Sequence, residues 1–484
     1  VVRTSLGCHF VGAANPHPDH TDKNSCLEGV KYRFCRQPPK PDLELMNEFG
    51  QFVDKWLREN LIPLDADSDC SVETWLNNTN YPKWRKEQLQ NCYDRTNGIL
   101  DPEDLKVKSF IKDETYPSYK YPRAINSRTD SFKIRVGPIF KLIENVVYKL
   151  HWFIKHVPVD ERCDVIKRDC YQDGAKIIGT DYTAYEAIFI KLMMMSCEMK
   201  LYKYMTQNLP DQDWYHIVES TLTGRNKCIF KMFTCYVDAT RMSGEMCTSL
   251  GNGFTNLMVF LFTAHKLNLK SLKGKVEGDD GIFTFYGEVP STDWFAKLGL
   301  IIKIVEYEEL SLGSFCGILC DSDDMINVTN PIDALLDFGW TSGKYSGASD
   351  KKLRMLLRAK SMSLAYQYPG CPILDALSKY GLRVTKGEKF LLNLDPYKTE
   401  LFRTMFLKYG TEFPIKTPSL RTRLLVERLF KIPINQQLKF ENYLDHKQDL
   451  SPIEFGDFLD LVNADQKHYY DNYLVDDRVD PLKL

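Results

Sequence analysis

Three aspartates carry the chemistry this sequence can do. Asp279 and Asp280 are adjacent in Lys275 to Tyr286, KVEGDDGIFTFY, with Gly278 and Gly281 on either side. Asp181 lies 98 positions before Asp279, at the end of an apolar run, residues 174–180, GAKIIGT. Neighbouring carboxylates repel, and a folded chain tolerates them where solvent, a Lys or Arg, or a divalent cation neutralises the pair. Hard oxygen ligands of this kind suit Mg2+, and two such ions about 3.5 to 4 Å apart can ionise an attacking hydroxyl and stabilise a phosphate leaving group. The chemistry on offer is metal-assisted phosphoryl transfer. An Asp-Asp pair in a solvated turn is the plain alternative, because short acidic motifs arise by chance.

The surrounding pattern indicates what must position these residues. The β-prone run after Asp280, with its flanking glycines, reads as the second strand of a hairpin whose tip carries the acids. Asp181 closes a short strand, at the sheet end where ligands usually bind, which makes it a candidate metal ligand. The helix that follows holds Ile188, Phe189, Leu192, Met193 and Met194, and its methionines read as core filler. Residues 241–252, RMSGEMCTSLGN, form a Ser-Gly loop running into an apolar helix. Ser243 can cap that helix, Gly244 lets backbone approach a ligand, and Thr248 and Asn252, four apart, share one face. Together they suggest recognition of a polar group, although a satisfied core polar is the default for either alone.

From Lys106 to Arg135, eight cations (Lys106, Lys108, Lys112, Lys120, Arg123, Arg128, Lys133 and Arg135) stand against Asp113, Glu114 and Asp130. Pro and Tyr break this segment into short extended pieces, so the cations project from extended backbone, an arrangement suited to a flexible polyphosphate. A solvated basic loop is the competing reading. Residues 351–360, KKLRMLLRAK, alternate cations with Leu353, Leu356 and Leu357. Lys351, Arg354 and Arg358 then form the basic side of an amphipathic helix, free to lie on a duplex or in solvent.

At 484 residues and 43% hydrophobic content, the chain can bury a large core and holds more than one subdomain. A net charge of −2 means that a polyanion must be held by local basic surface. Fourteen scattered cysteines, without a charged start and apolar h-region, read as reduced intracellular thiols. Apolar stretches such as residues 257–264 are too short to cross a bilayer of ~30 Å. Residue 1 is Val, which reads as a processed or trimmed chain with any membrane anchor upstream. Cys8, His9, His17, His20, Cys26 and Cys35 lack the paired C-x2-C or H-x3-H spacing of zinc sites, and read as buried thiols and surface histidines. No G-x4-G-K-[ST] occurs, so the chain carries no P-loop helicase motif.

The order basic segment, strand-Asp, S-G-x3-T-x3-N, then G-D-D resembles the motif series of positive-strand RNA virus RNA-dependent RNA polymerases. It is most similar to the tombusvirus-like type and, more distantly, to the hepatitis C and flavivirus type. The likeness runs from about residue 108 to 317, about two-fifths of the chain. It implies an α+β right-hand fold: fingers with an amino-terminal extension over 1–170, a palm with an antiparallel sheet over 171–325, and a largely helical thumb over 326–484. Part of 190–240 would be inserted into the fingers.

The resemblance further implies template-directed RNA synthesis with Mg2+, for which Mn2+ can substitute, during replication of a positive-strand RNA virus genome. Asp181, Asp279 and Asp280 would hold the metals. Lys112, Lys120, Arg123 and Arg128 would line the nucleotide path, while Ser243, Thr248 and Asn252 check the ribose and Gly244 supports the template. Lys303, in GLIIK, would donate a proton to pyrophosphate, and Phe315, Cys316 and Gly317 would steady the primer end. Where the family has D-x4-D, this chain has Glu186 as the second acid, and the expectation is that it approaches Asn252 and the ribose at a different angle. Implied partners are RNA template and product, nucleoside triphosphates, other viral replication proteins, and host membranes reached through an upstream part. The implied location is host cytoplasm at membrane-bound replication complexes. A non-enzymatic RNA-binding scaffold, a reverse transcriptase and a metal-dependent nucleotidyl or glycosyl transferase are the alternatives, and the intact aspartates, the Ser243 to Asn252 pattern and the basic strip weigh against them in turn.

Overall fold

Buried on both flanks, the apolar run before Asp181 becomes an inner strand of an antiparallel sheet. In the computed structural model, which describes residues 2–390 and 396–478, the chain is α+β. Its described strands are β1 (Val2–Ser5), β2 (Val107–Ile111), β3 (Ala124–Arg128), β4 (Lys176–Tyr182), β5 (Arg225–Ile229), β6 (Thr234–Asp238) and β7 (Lys270–Glu277). They continue with β8 (Asp280–Tyr286), β9 (Ile302–Tyr307), β10 (Ser314–Phe315), β11 (Ile318–Asp321), β12 (Ile326–Val328), β13 (Trp340–Ser342) and β14 (Val475–Asp476).

The central sheet has the order β7-β8-β4-β9, with every pair antiparallel. The helix Thr248–Leu267 packs on it. That helix is apolar around most of its circumference, as a helix buried on several sides must be. Phe260 stacks on Phe283 of β8 with ring centroids 4.0 Å apart, and Leu257, Ile178 and Phe285 join the same core. Aromatic stacking of this kind adds to the burial of its area.

A second sheet, β3-β2-β5-β6, carries the basic segment. Its β2 strand alternates strictly, with Val107, Ser109 and Ile111 inward and Lys108 and Phe110 outward. After β4 the chain leaves the central sheet, and residues 225–238 join this one, where β5 pairs in parallel with β2 and antiparallel with β6.

Beyond residue 330 the described chain is mostly helical, built on its own core around Leu357, Leu377, Tyr380, Phe440 and Phe458. Grouping residues 1–170 as one region misses how the chain begins. Leu6, Cys8, Phe10 and Ala13 enter this C-terminal core, and β1 pairs antiparallel with β13 and parallel with β14. The alternation of residues 6, 8 and 10 puts them on one face of an extended segment, which needs an apolar partner from elsewhere.

The amino-terminal Cys and His residues go to separate places. Cys8 lies in the C-terminal core and Cys26 in the core under the second sheet, Cys35 is exposed, and His17 Nε2 contacts Asp113 Oδ1 at 2.5 Å. Among the described residues, no helix is long and apolar enough to cross a membrane.

Candidate functional site

Four strands and one turn meet at the end of the central sheet. β7 and β8 pair with Glu277 opposite Asp280, leaving Gly278 and Asp279 as a two-residue turn. Gly278 has φ 58°, and a Cβ there would meet nothing within 4 Å, so backbone conformation and not crowding favours glycine. On β4, Thr180 lies opposite Gly281, and the next step brings Asp181 level with Asp280. On the other side, Asp181 is opposite Lys303 of β9. Opposed residues share a face of the sheet, and Asp181 and Lys303 are both exposed there.

A buried helix residue fixes the turn. Asn256 donates its Nδ2 to the carbonyls of Gly278 (3.2 Å) and Asp280 (3.0 Å), and its Oδ1 accepts from the Tyr182 hydroxyl (3.2 Å). The hairpin tip is thereby tied to the helix behind it and to β4.

Asp279 and Asp280 keep partial contact with solvent but are crowded by protein on most sides. Burial, reinforced by Glu186 and Asp181, pushes the Asp279 carboxyl up to about 6. Burial, then repulsion from Asp279, Asp181 and Glu277, pushes Asp280 up to about 7. Arg123 is the cation that opposes both shifts.

This excess of negative charge fits a divalent cation, and carboxylate oxygens are the donors Mg2+ prefers. Among the described residues, no three Asp, Glu, His or Cys side chains enclose an ion by themselves. Mg2+ commonly combines one or two carboxylates with water and substrate phosphates, and an open set of carboxylates permits that.

The raised values have a consequence for stability, with a definite sign. Both carboxyls ionise more readily unfolded, near 3.8, than folded, so the penalty is absent below that pH and grows as pH rises through about 6 to 7. In metal-free buffer, Asp280→Asn is expected to gain thermal stability over the parent chain from pH 4 to pH 8, and Mg2+ should narrow the gap. Melting curves across that range test this; a difference that stays constant with pH would contradict it.

The Ser-Gly loop is held from behind. Gly244 has φ 123°, and a Cβ on it would lie 2.9 Å from the Asn126 carbonyl oxygen, so its close approach is to β3. Asn126 N–H donates to the Ser243 carbonyl at 2.6 Å. The expected capping role of Ser243 is not what forms. The helix starts at Thr248 with Cys247 as its cap, because a turn closed by Glu245 N–H on the Met242 carbonyl intervenes. Thr248 Oγ1 itself bonds within the loop, accepting from Gly244 N–H and donating to Met242 O, both at 3.2 Å.

Asn252 is oriented by a residue that sequence reasoning passed over. Arg241 is fully buried, pairs with equally buried Glu198 at 2.5 Å, and lies over the Phe189 ring at 4.1 Å. Its Nε donates to Asn252 Oδ1 at 2.9 Å. A guanidinium can only donate, so the amide oxygen must face Arg241 and the NH2 group turns away from it. Glu186 does not take Asn252 as its partner. Its carboxylate pairs with Arg33 at 3.5 Å, and its carbonyl accepts from Arg241 N–H.

The basic strip divides. Arg123 holds Glu114 through two bonds of 2.5 and 2.6 Å, Lys112 reaches the same carboxylate at 3.1 Å, and exposed Lys120 lies over the Tyr116 ring. Arg123, with nearly half its side chain exposed, also lies within electrostatic reach of Asp279 and Asp280. Arg128 requires a correction. It is buried, with its guanidinium committed to Glu245, Asn226 and the Leu105 carbonyl, so it ties β3 to the Ser-Gly loop instead of lining a path.

The turn at Cys316 and Gly317 connects β10 to β11 with positive φ at both residues, 54° and 73°, the twist that two-residue hairpins favour. Phe315 is buried beneath it. Burial and the nearby Asp280 and Glu277 push the Cys316 thiol up, which sets this turn beside the carboxylates. The basic helix, Asp350–Gln367, faces inward more than its pattern suggests. Arg354 pairs with Glu388 and Arg358 bonds the carbonyls of Leu382 and Thr385, leaving Lys351 exposed at the first turn. No protein-family model matches the chain, and a comparison with curated proteins finds no match.

Proposed function

We propose that this chain is an RNA-dependent RNA polymerase that joins nucleoside triphosphates to the 3′-hydroxyl of a growing RNA, replicating a positive-strand RNA virus genome. The observation that carries the proposal is the meeting of Asp181, Asp279 and Asp280 at one sheet end, opposed by Arg123 and tied from behind by Asn256. On this reading the central sheet is the palm, the second sheet belongs to the fingers, and the C-terminal helices form the thumb.

Asp181, Asp279 and Asp280 would hold Mg2+ or Mn2+. When bound, the metal lowers the pKa of the attacking hydroxyl and stabilises the leaving pyrophosphate. Arg123, Lys112 and Lys120 bind the triphosphate, with Glu114 keeping Arg123 extended until phosphate oxygens compete for it. Lys303 Nζ, across from Asp181, gives a proton to the departing pyrophosphate. The outward NH2 of Asn252 donates to the ribose 2′-hydroxyl oxygen. Base pairing then supplies the sequence information, so the protein need read only backbone, shape and sugar.

Incorporation of labelled nucleotides on a defined RNA template with Mg2+ or Mn2+ tests the proposal directly. Absence of template-dependent product with both metals would refute it. Arg123→Ala is expected to raise KM about tenfold for all four nucleotides alike, since phosphate contacts carry no base information. A defect confined to one base would remove Arg123 from the phosphate path. Asn252→Ala should lose a hydrogen bond worth ~0.5 to 1.5 kcal/mol and reduce ribonucleotide preference several-fold. The ratio of kcat/KM for a ribonucleotide and its 2′-deoxy counterpart measures this, and an unchanged ratio would make Asn252 purely structural.

A further inference from the structure

Away from the carboxylates, two tyrosines distant in sequence are stacked at the surface. Tyr32, on the helix Lys23–Phe34, and Tyr121, in the basic loop, have ring centroids 4.2 Å apart and planes within 13°. The Arg36 guanidinium lies over Tyr32 at 5.1 Å, and Tyr121 stays 46% exposed. With Glu28 and Lys31 these three side chains line an open recess of about 300 Å³.

The support beneath the pair is closely packed. A Cβ on Gly29 would lie 2.8 Å from the Pro122 carbonyl oxygen, so only glycine lets the helix pack this closely on the loop. Arg33 donates to the Tyr121 carbonyl at 3.3 Å and pairs with Glu186, whose charge acts on Asp279. The helix, the tyrosine loop and the carboxylate site are thus linked through one guanidinium. The next residues along the loop are Lys120 on one side and Arg123 beyond Pro122 on the other.

We propose that Tyr32 and Tyr121 form a stacking platform for a base of single-stranded RNA on its way to the carboxylate site. Every base has a π-face, so aromatic rings bind a strand without regard to sequence while neighbouring cations follow its phosphates. Lys31 is paired with Glu28 at 2.8 Å, so Arg36 and Lys120 supply the charge complementary to a polyanion, which favours a nucleic acid over an apolar protein segment as occupant. A tyrosine pair held by packing presents its ring at small entropic cost. The identity of the strand as template rests on the polymerase reading; the platform itself does not.

The test uses the full chain and two fluorescent probes of equal length, a 12-nucleotide oligouridine and its abasic counterpart. Tyr121→Ala is expected to weaken oligouridine binding about five- to hundredfold, the effect of one lost base stack, and to leave the abasic probe nearly unaffected. Tyr121→Trp should retain wild-type affinity for oligouridine. Equal binding of both probes by wild type, unchanged oligouridine affinity in Tyr121→Ala, or a tryptophan variant as weak as alanine would each overturn the platform; the first two would leave the pair as packing or as a protein contact. Nucleotide incorporation by wild type is measured separately. Ring-dependent binding without any synthesis would keep the platform and discard the polymerase, whereas synthesis with ring-independent binding would do the reverse.

Discussion

Asp279→Ala is expected to lower RNA synthesis by at least ~10²- to 10³-fold, the loss that follows removal of a single transition-state-stabilising group from a preorganised site. RNA binding should remain close to wild type, because the contacts assigned to the strand lie on the basic loop and not on the hairpin tip. The backbone of the turn should also persist, since Asn256 holds it through the carbonyls of Gly278 and Asp280 and not through the Asp279 side chain. Single-turnover incorporation and a binding titration on the same preparation separate the two effects. Normal turnover by the variant would end the assignment of Asp279 as a metal ligand.

The second large effect is expected at Arg241. Arg241→Met would leave Glu198 charged, fully buried and without its cation, a situation that costs ~3 to 5 kcal/mol when a buried pair is broken from one side. The Tyr202 hydroxyl, 2.8 Å from Glu198, offers a hydrogen bond but no compensating charge. Chemical denaturation measures the loss, and the double variant Arg241→Met, Glu198→Leu should recover most of it, because an apolar pair can replace a buried ion pair. The double variant should nevertheless discriminate poorly between ribo- and deoxyribonucleotides, having lost the donor that orients Asn252. A single variant as stable as wild type would mean that the pair contributes nothing, and a selective double variant would mean that Asn252 orients itself.

Local features were the legible part of this chain. Glycines around Asp279 and Asp280, followed by β-branched and aromatic residues, point to a hairpin with the acids at its tip because turn chemistry depends on neighbours in sequence, although Asp280 proves to be the first residue of β8 and only Gly278 and Asp279 form the turn. The end of β4 was readable to within one residue for the same reason, the strand running past Asp181 to Tyr182. Arg123 and Arg128 look alike in sequence yet diverge in the fold: Arg128 meets Asn226 and Glu245, about a hundred positions away, and no local pattern predicts that encounter. Ser243 is a residue type suited to a cap, but an extra turn delays the helix to Thr248. Asn256 went unread, although it continues the four-residue spacing of Thr248 and Asn252 and so carries a signal in the sequence itself. Arg241 was hidden because its partner Glu198 comes from a helix in another part of the fold.

The pairing of β1 with β13 and β14 bears on how the molecule is made. Thr4 Oγ1 bonds Asp477 across a separation of 473 residues. At a synthesis rate of about 5 to 20 residues per second, the ribosome needs roughly half a minute to a minute and a half to deliver that partner. During this interval Leu6, Cys8 and Phe10 have no C-terminal core to enter, while the helix Leu43–Asn60 and much of the central core can already assemble around them. A segment made 473 residues before its partner is therefore among the last to settle. An early apolar strand left waiting is a natural client for a chaperone, and truncation before β13 should yield a chain that is captured or aggregates even though its central sheet is complete.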